Sequence, residues 1–231
     1  MSKLPFVWEL NNKGIISHAI GTYHWIPDLF REDVKKYVHN KSCVMVECRD
    51  DPDYFFFKHV RENGLEEHIA DQIKKDPANR ELYQARAREF AECAGGLDFD
   101  VEDVARSLSI PVIGLETKEE HALYYAIGEK YNVMGTMNRG EPSTGPPENF
   151  VFGDEETAKK NCAEDILHWK SIMSKEDLET LMRRNPNMVE RSMQHIIRAP
   201  SLIAVGTAHY FANPTLLALY EREGIDVKRI T

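Results

Sequence analysis

The chain has 231 residues, 42% hydrophobic and 29% charged, which is the balance of a soluble globular protein long enough to build a core without disulfides or a structural metal. A formal net charge of −9 disfavours nucleic acid and anionic membrane surfaces as partners, because both are bound through clustered Lys and Arg. No run approaches the ~18–20 apolar residues that cross a bilayer, and MSKLPFVWEL lacks the apolar core of a secretory signal, so a cytoplasmic location is expected.

In chain order, Phe6–Leu10 and Gly14–Ile20 read as two strands joined by the turn-rich Asn11-Asn-Lys-Gly14, an N-terminal hairpin. The second strand runs directly into Gly21-Thr-Tyr-His24, and a helical stretch follows from Leu29 to Val38. Cys43–Cys48 has the continuous apolar character of a strand covered on both faces, with Glu47 near its carboxyl end. Charged helical segments are expected over roughly 59–75 and 79–94, broken at Pro77 and ended by Gly95-Gly96.

A helix near Val101–Leu108 leads into a second apolar strand, Val112-Ile-Gly-Leu-Glu116, which again ends in Glu, and Lys118–Tyr131 is helical. Residues 135–153 hold most of the Pro-Gly clustering and read as a long loop or flap. Helices resume at about 154–171, 174–184 and 186–198, where Met188, Met193, Ile196 and Ile197 mark a core-facing stripe. The last buried strand, Leu202–Val205, runs into Gly206-Thr-Ala-His209. A final helix opens at Asn213-Pro214 and ends near Gly224, before a closing strand at Asp226–Ile230.

Alternating strands and helices predict a single α/β domain over 1–231, with a mainly parallel central sheet flanked by helices. In such sheets ligands bind at the carboxyl ends of the strands. His24, Glu47, Glu116 and His209 all fall at or just after strand ends.

Each Gly-Thr-x-His has a rationale. Gly permits close backbone approach, Thr can cap the next turn or orient the imidazole, and His ligates metals or carries protons. Glu47 and Glu116 are costly to bury unless each pairs with a Lys or Arg or binds a metal. Two neutral His with carboxylates suit Zn²⁺, Mn²⁺, Fe²⁺ or Co²⁺, and without thiolates softness does not choose among them. In Arg183-Arg184-Asn185 a guanidinium is available for an oxyanion or a substrate carboxylate. Cys43, Cys48, Cys93 and Cys162 form no Cys-x-x-Cys pair and read as structural thiols. His59, His68 and His168, in charged helical segments, read as surface residues, and His18 as a strand residue beside the site at most.

Gly21-Thr-Tyr-His24, Val46-Glu47, Gly114-Leu-Glu-Thr117, Arg184-Asn185-x-x-Met188 and Val205-Gly-Thr-Ala-His209 occur in the order seen in the TraB/GumN family, which the chain resembles over nearly its whole length. That family includes the Tiki proteases and bacterial pheromone-shutdown proteins. The resemblance implies a fold related to erythromycin esterase and to the haem-binding ChaN proteins, and a metal-dependent hydrolase, most often a peptidase supported by Mn²⁺ or Co²⁺. It implies His24 and His209 as the motif histidines, Glu47 and Glu116 as the acids, and Arg184 as the motif arginine. Arg183 stands where many relatives have Glu, and His121 where Gln is usual.

The expected chemistry is hydrolysis of a peptide or small-molecule amide or ester. His24 and His209, with Glu47 or Glu116, hold a divalent ion (Mn, Co or Zn), the other carboxylate is the general base, and Arg184 stabilises the oxyanion. The rival readings are a non-catalytic ChaN-like binder of haem, metal or peptide, and a metal-free esterase with a His base.

Overall fold

The computed structural model of the chain describes residues 4, 6–22, 30–49, 58, 64–80, 97–131, 155–212 and 214–230. His24, His59, Cys93, most of the helix expected at 79–94, the Gly/Pro-rich 135–153 and the side chain of His68 lie outside that description.

One six-stranded sheet organises the molecule. Its strands are β1 (Val7–Asn12), β2 (Ile15–Thr22), β3 (Val44–Cys48), β4 (Val112–Glu116), β5 (Leu202–Gly206) and β6 (Asp226–Arg229), in the order β4-β3-β5-β2-β1-β6. β4, β3, β5 and β2 are mutually parallel, whereas β1 is antiparallel to both β2 and β6. The sheet is therefore mixed, and the parallel part covers four strands. The reason is local: a hairpin with Lys13-Gly14 as its two-residue loop can return the chain only antiparallel. Lys13 (φ 51°) and Gly14 (φ 94°) both take left-handed conformations, as the tight primed turns require, and Gly14 N–H donates to Asn11 Oδ1 at 2.8 Å.

The helices among the described residues are α1 (Arg31–Val38), α2 (Leu65–Lys75), α3 (Leu97–Ser107), α4 (Lys118–Lys130), α5 (Glu155–Ile172), α6 (Lys175–Met182), α7 (Arg184–Ile196), α8 (Ala208–Phe211) and α9 (Leu216–Arg222). None is long and apolar enough to cross a membrane.

Strand alternation divides the apolar residues between two cores. Met45, Ile203 and Val205 join Met188, Val189, Ile196, Tyr210, Phe211 and Tyr220 from α7, α8 and α9. Val44, Val46, Leu202 and Ala204 join Val34 and Val38 of α1 with Leu97, Val101 and Val104 of α3 on the other face. Both faces of β3 and β5 are thus covered, which explains their unbroken apolar sequences. Each such side chain contributes about 1.5–3 kcal/mol on burial, so a one-residue register slip would misplace the whole set.

Two sequence expectations need correcting. Ile197 is 43% exposed, because it follows the last turn of α7 as its C-cap; Met188 and Ile196 do occupy the core. The final helix starts after Pro214 rather than on it. Thr215 is its N-cap and accepts from Ala218 N–H at 3.1 Å, and Gly224 (φ 82°) follows its end.

Candidate active site

The four parallel strands bring the carboxyl ends of β2, β3, β4 and β5 to one edge of the sheet, where Gly21-Thr22 of the first motif meets Gly206-Thr207 of the second. Thr22 pairs with Gly206, Thr207 N–H donates to Thr22 O at 2.9 Å, and Thr207 Oγ1 donates to the same oxygen at 2.9 Å. A Cβ on Gly21 would lie 2.9 Å from Thr207 Oγ1, so only glycine permits the contact between the motifs. Thr207 therefore neither caps α8 nor touches the imidazole, as its motif position suggested; its hydroxyl ties the two motifs together.

Gly206 has a second role. Its N–H donates to Glu47 Oε1 at 2.5 Å, and a Cβ at this position would come within 2.9 Å of that same oxygen. β5 thus fixes one oxygen of the β3 carboxylate. Past Gly206 and Thr207 the chain turns into the short α8, which carries His209. His209 Nε2 lies 3.5 Å from Glu47 Oε1. His209 Nδ1 contacts Asn185 Oδ1 at 2.6 Å, and Asn185 Nδ2 donates to His209 O at 3.1 Å and to Pro214 O at 2.6 Å. With both amide hydrogens engaged, the Asn185 oxygen is the acceptor. The proton of a neutral His209 then sits on Nδ1, and Nε2 carries the lone pair.

Arg184, the first residue of α7, joins the two acids. Its Nε donates to Glu116 Oε1 at 2.7 Å, and its Nη2 donates to Glu116 Oε2 at 3.1 Å and to Glu47 Oε2 at 3.1 Å. The guanidinium also lies 4.7 Å above the Tyr124 ring. Burial pulls the Arg184 pKa down, but the charges of Glu47 and Glu116 outweigh it and hold the pKa above the ordinary value. Strict alternation would put the two acids on opposite faces of the sheet, since Cys48, not Glu47, is in register with Glu116. They converge because Glu116 is the last residue of β4, where its side chain can lap over the strand end.

α7 is held at this edge by a second arginine. Thr117 and Glu120 form a reciprocal capping box that starts α4, and Arg191 donates to both Glu120 oxygens at 2.5 and 2.8 Å and to Leu115 O at 2.6 Å. Arg191 thereby anchors the helix bearing Arg184 and Asn185 to β4 and α4.

Of the expected site residues, Glu47, Glu116, Arg184 and His209 come together, while His24 lies outside the described residues. Two further members were not expected. Asn185 was quoted only as part of a motif. His121 was noted only as a departure from the family pattern, and its Nδ1 lies 3.1 Å from Glu116 Oε2. The spacing Glu116-x₄-His121 across a strand end and the first turn of α4 was the available signal.

His18 is not at this edge. It pairs with Leu202 at the opposite end of β5. His168 is exposed, as expected. Cys43, Cys48 and Cys162 form no disulfide, and burial pushes the Cys162 thiol up to about 11, which keeps it protonated.

Among the described residues no three His, Cys, Asp or Glu side chains come together as a metal-binding group. The donor chemistry nonetheless fits an ion at His209 and Glu47. Two ligand atoms about 2.1 Å from a tetrahedral ion are about 3.4 Å apart, close to the 3.5 Å between Nε2 and Oε1. Asn185 also supplies the outer hydrogen bond that a metal-ligating imidazole ordinarily makes. No family model, no curated protein and no solved structure matches the chain.

Proposed function

We propose that the chain is a metal-dependent hydrolase, a peptidase of the TraB/GumN kind on a ChaN-like scaffold. The observation that carries this reading is His209, with Nδ1 held by Asn185 and Nε2 set 3.5 Å from Glu47 Oε1. The charges agree with it: Glu47 and Glu116 against Arg184 leave one negative charge, which favours a cation. His209 and Glu47 are two donors for Mn²⁺, Co²⁺ or Zn²⁺, and His24 is the third, on the strength of its motif and of the family resemblance. A bound ion supplies a Lewis acid that lowers the pKa of water and polarises a scissile carbonyl.

The protein's own groups divide the remaining work. Glu116 accepts from Arg184 on both its oxygens and orients the guanidinium. Glu47 accepts from Gly206 on Oε1 and from Arg184 on Oε2, and its Oε1 faces His209 Nε2 at 3.5 Å, so it is the acid that would hold the ion with His209. Arg184 Nη1 donates no hydrogen bond among the described residues and is the donor for the developing oxyanion.

The test is to strip the protein with chelator, reload it with Mn²⁺, Co²⁺ or Zn²⁺, and measure metal content by mass spectrometry beside cleavage of a quenched fluorescent peptide library. Activity should follow the metal, His209→Ala should lose both, and Asn185→Ala should weaken metal affinity about 10- to 100-fold. Full activity in excess chelator would overturn the proposal in favour of a metal-free esterase. A Soret band that depends on His209, without turnover, would favour a haem binder.

A further inference from the structure

We propose that Lys41, at the opposite edge of the sheet, is a nucleophilic lysine that takes an acyl group from thioesters. The site is a cluster of four side chains. Its local cause is the turn that ends α1: Asn40 takes a left-handed conformation (φ 64°), Lys41 N–H returns to Val38 O at 3.1 Å, and the side chain is carried onto β2. There Lys41 Nζ lies 2.8 Å from His18 Nδ1 and donates to Ile16 O at 3.3 Å. The imidazole packs edge-on against Tyr37, with ring centres 5.3 Å apart, and Glu9 is its cross-strand partner on β1.

The titratable groups facing the pair are therefore Glu9 from β1 and Tyr37 from α1, while β5 offers Leu202. An ammonium can donate to His18 Nδ1 only while that nitrogen keeps its lone pair, so the two groups cannot both be charged without repulsion. Burial and the Lys41 charge push His18 down to about 4. Burial, opposed by Glu9, brings Lys41 down to about 8. Lys41 thus supplies free amine near neutral pH while remaining partly accessible.

The step balances simply. The ammonium first releases one proton to water, and the nitrogen lone pair attacks the thioester carbonyl. The N–C bond forms, the C–S bond breaks, and the thiol departs with the second proton shed by nitrogen. The product amide is neutral, so acylation removes the charge that burial disfavours, and its N–H can keep the bond to His18.

The experiment treats the full chain with limiting acetyl-coenzyme A at several pH values and measures each lysine by peptide mass spectrometry. Lys175, whose side chain is 90% exposed, is the internal reference. Lys41 should be acetylated about tenfold faster than Lys175 at neutral pH, with a rate that levels off near pH 8. Glu9→Gln should raise the Lys41 rate, because it removes the carboxylate that favours the ammonium. His18→Gln should leave the rate within about twofold, because the amide oxygen replaces Nδ1 as the acceptor for the ammonium. Circular dichroism of each variant checks the fold. A Lys41 rate no greater than that of Lys175 between pH 7 and 9 would overturn the proposal.

Discussion

The two edges of the sheet hold similar residues in opposite electrostatic arrangements. At the carboxyl edge Glu47 and Glu116 share one guanidinium, and every charge touches its opposite. At the amino edge a lysine meets a histidine, and Glu9, the cross-strand neighbour of His18, makes no ion pair to Lys41 among the described residues. The first arrangement holds its charges in direct pairs, while in the second burial pushes both His18 and Lys41 toward their neutral forms. Burial thus accompanies paired opposite charges at one edge and a proton-sensitive pair at the other.

The largest test of this contrast is Arg184→Met, which leaves Glu47 and Glu116 uncompensated. It should cost about 3–5 kcal/mol in denaturant unfolding, and the deficit should shrink as the carboxylates protonate at low pH. A cost below about 1 kcal/mol would show that the acids are solvated rather than held.

Gly206→Ala sharpens the same point at smaller scale. The new Cβ would sit 2.9 Å from Glu47 Oε1, the far end of a flexible side chain, so the carboxylate moves and the fold does not. Activity should fall about tenfold while stability changes by less than about 1 kcal/mol. Equal losses in both would mean that the glycine serves packing alone.

The third test belongs to the amino edge. His18 titrates at about 4 in the folded chain, below the ~6.5 of an unfolded histidine. As pH falls the unfolded chain therefore takes up the proton first. His18's contribution is complete above about pH 6.5 and is lost progressively down to about pH 4. His18→Gln should flatten the stability curve in that window relative to the parent and leave it unchanged above pH 7.

Much of the fold could be read from the sequence because β3, β4 and β5 are short apolar runs bounded by polar residues, and continuous apolar character is what burial on both faces requires. The convergence of Glu47, Glu116 and His209 followed from strand ends alone. The partners were less legible. Asn185 reaches His209 across 24 residues, and no local pattern encodes that contact. His121 sits in a helix whose spacing looks like any solvated face, and its tie to Glu116 exists only once α4 is capped by Thr117. The single antiparallel strand β1 followed from the turn, but its pairing with β6 did not.

The sheet order also has a kinetic consequence. β5 lies between β3 and β2, yet it follows both of them, and β4, in the chain. Until it arrives, the β1-β2 hairpin and the β3-β4 pair share no hydrogen bonds, and each shows an unpaired edge that could capture another strand. Inserting β5 joins the halves and, in the same event, delivers Gly206 to Glu47 and His209 to Asn185. Such long-range closure predicts slow folding, and a nascent chain that has made β1 to β4 still lacks the contacts of Glu47 with Gly206 and His209.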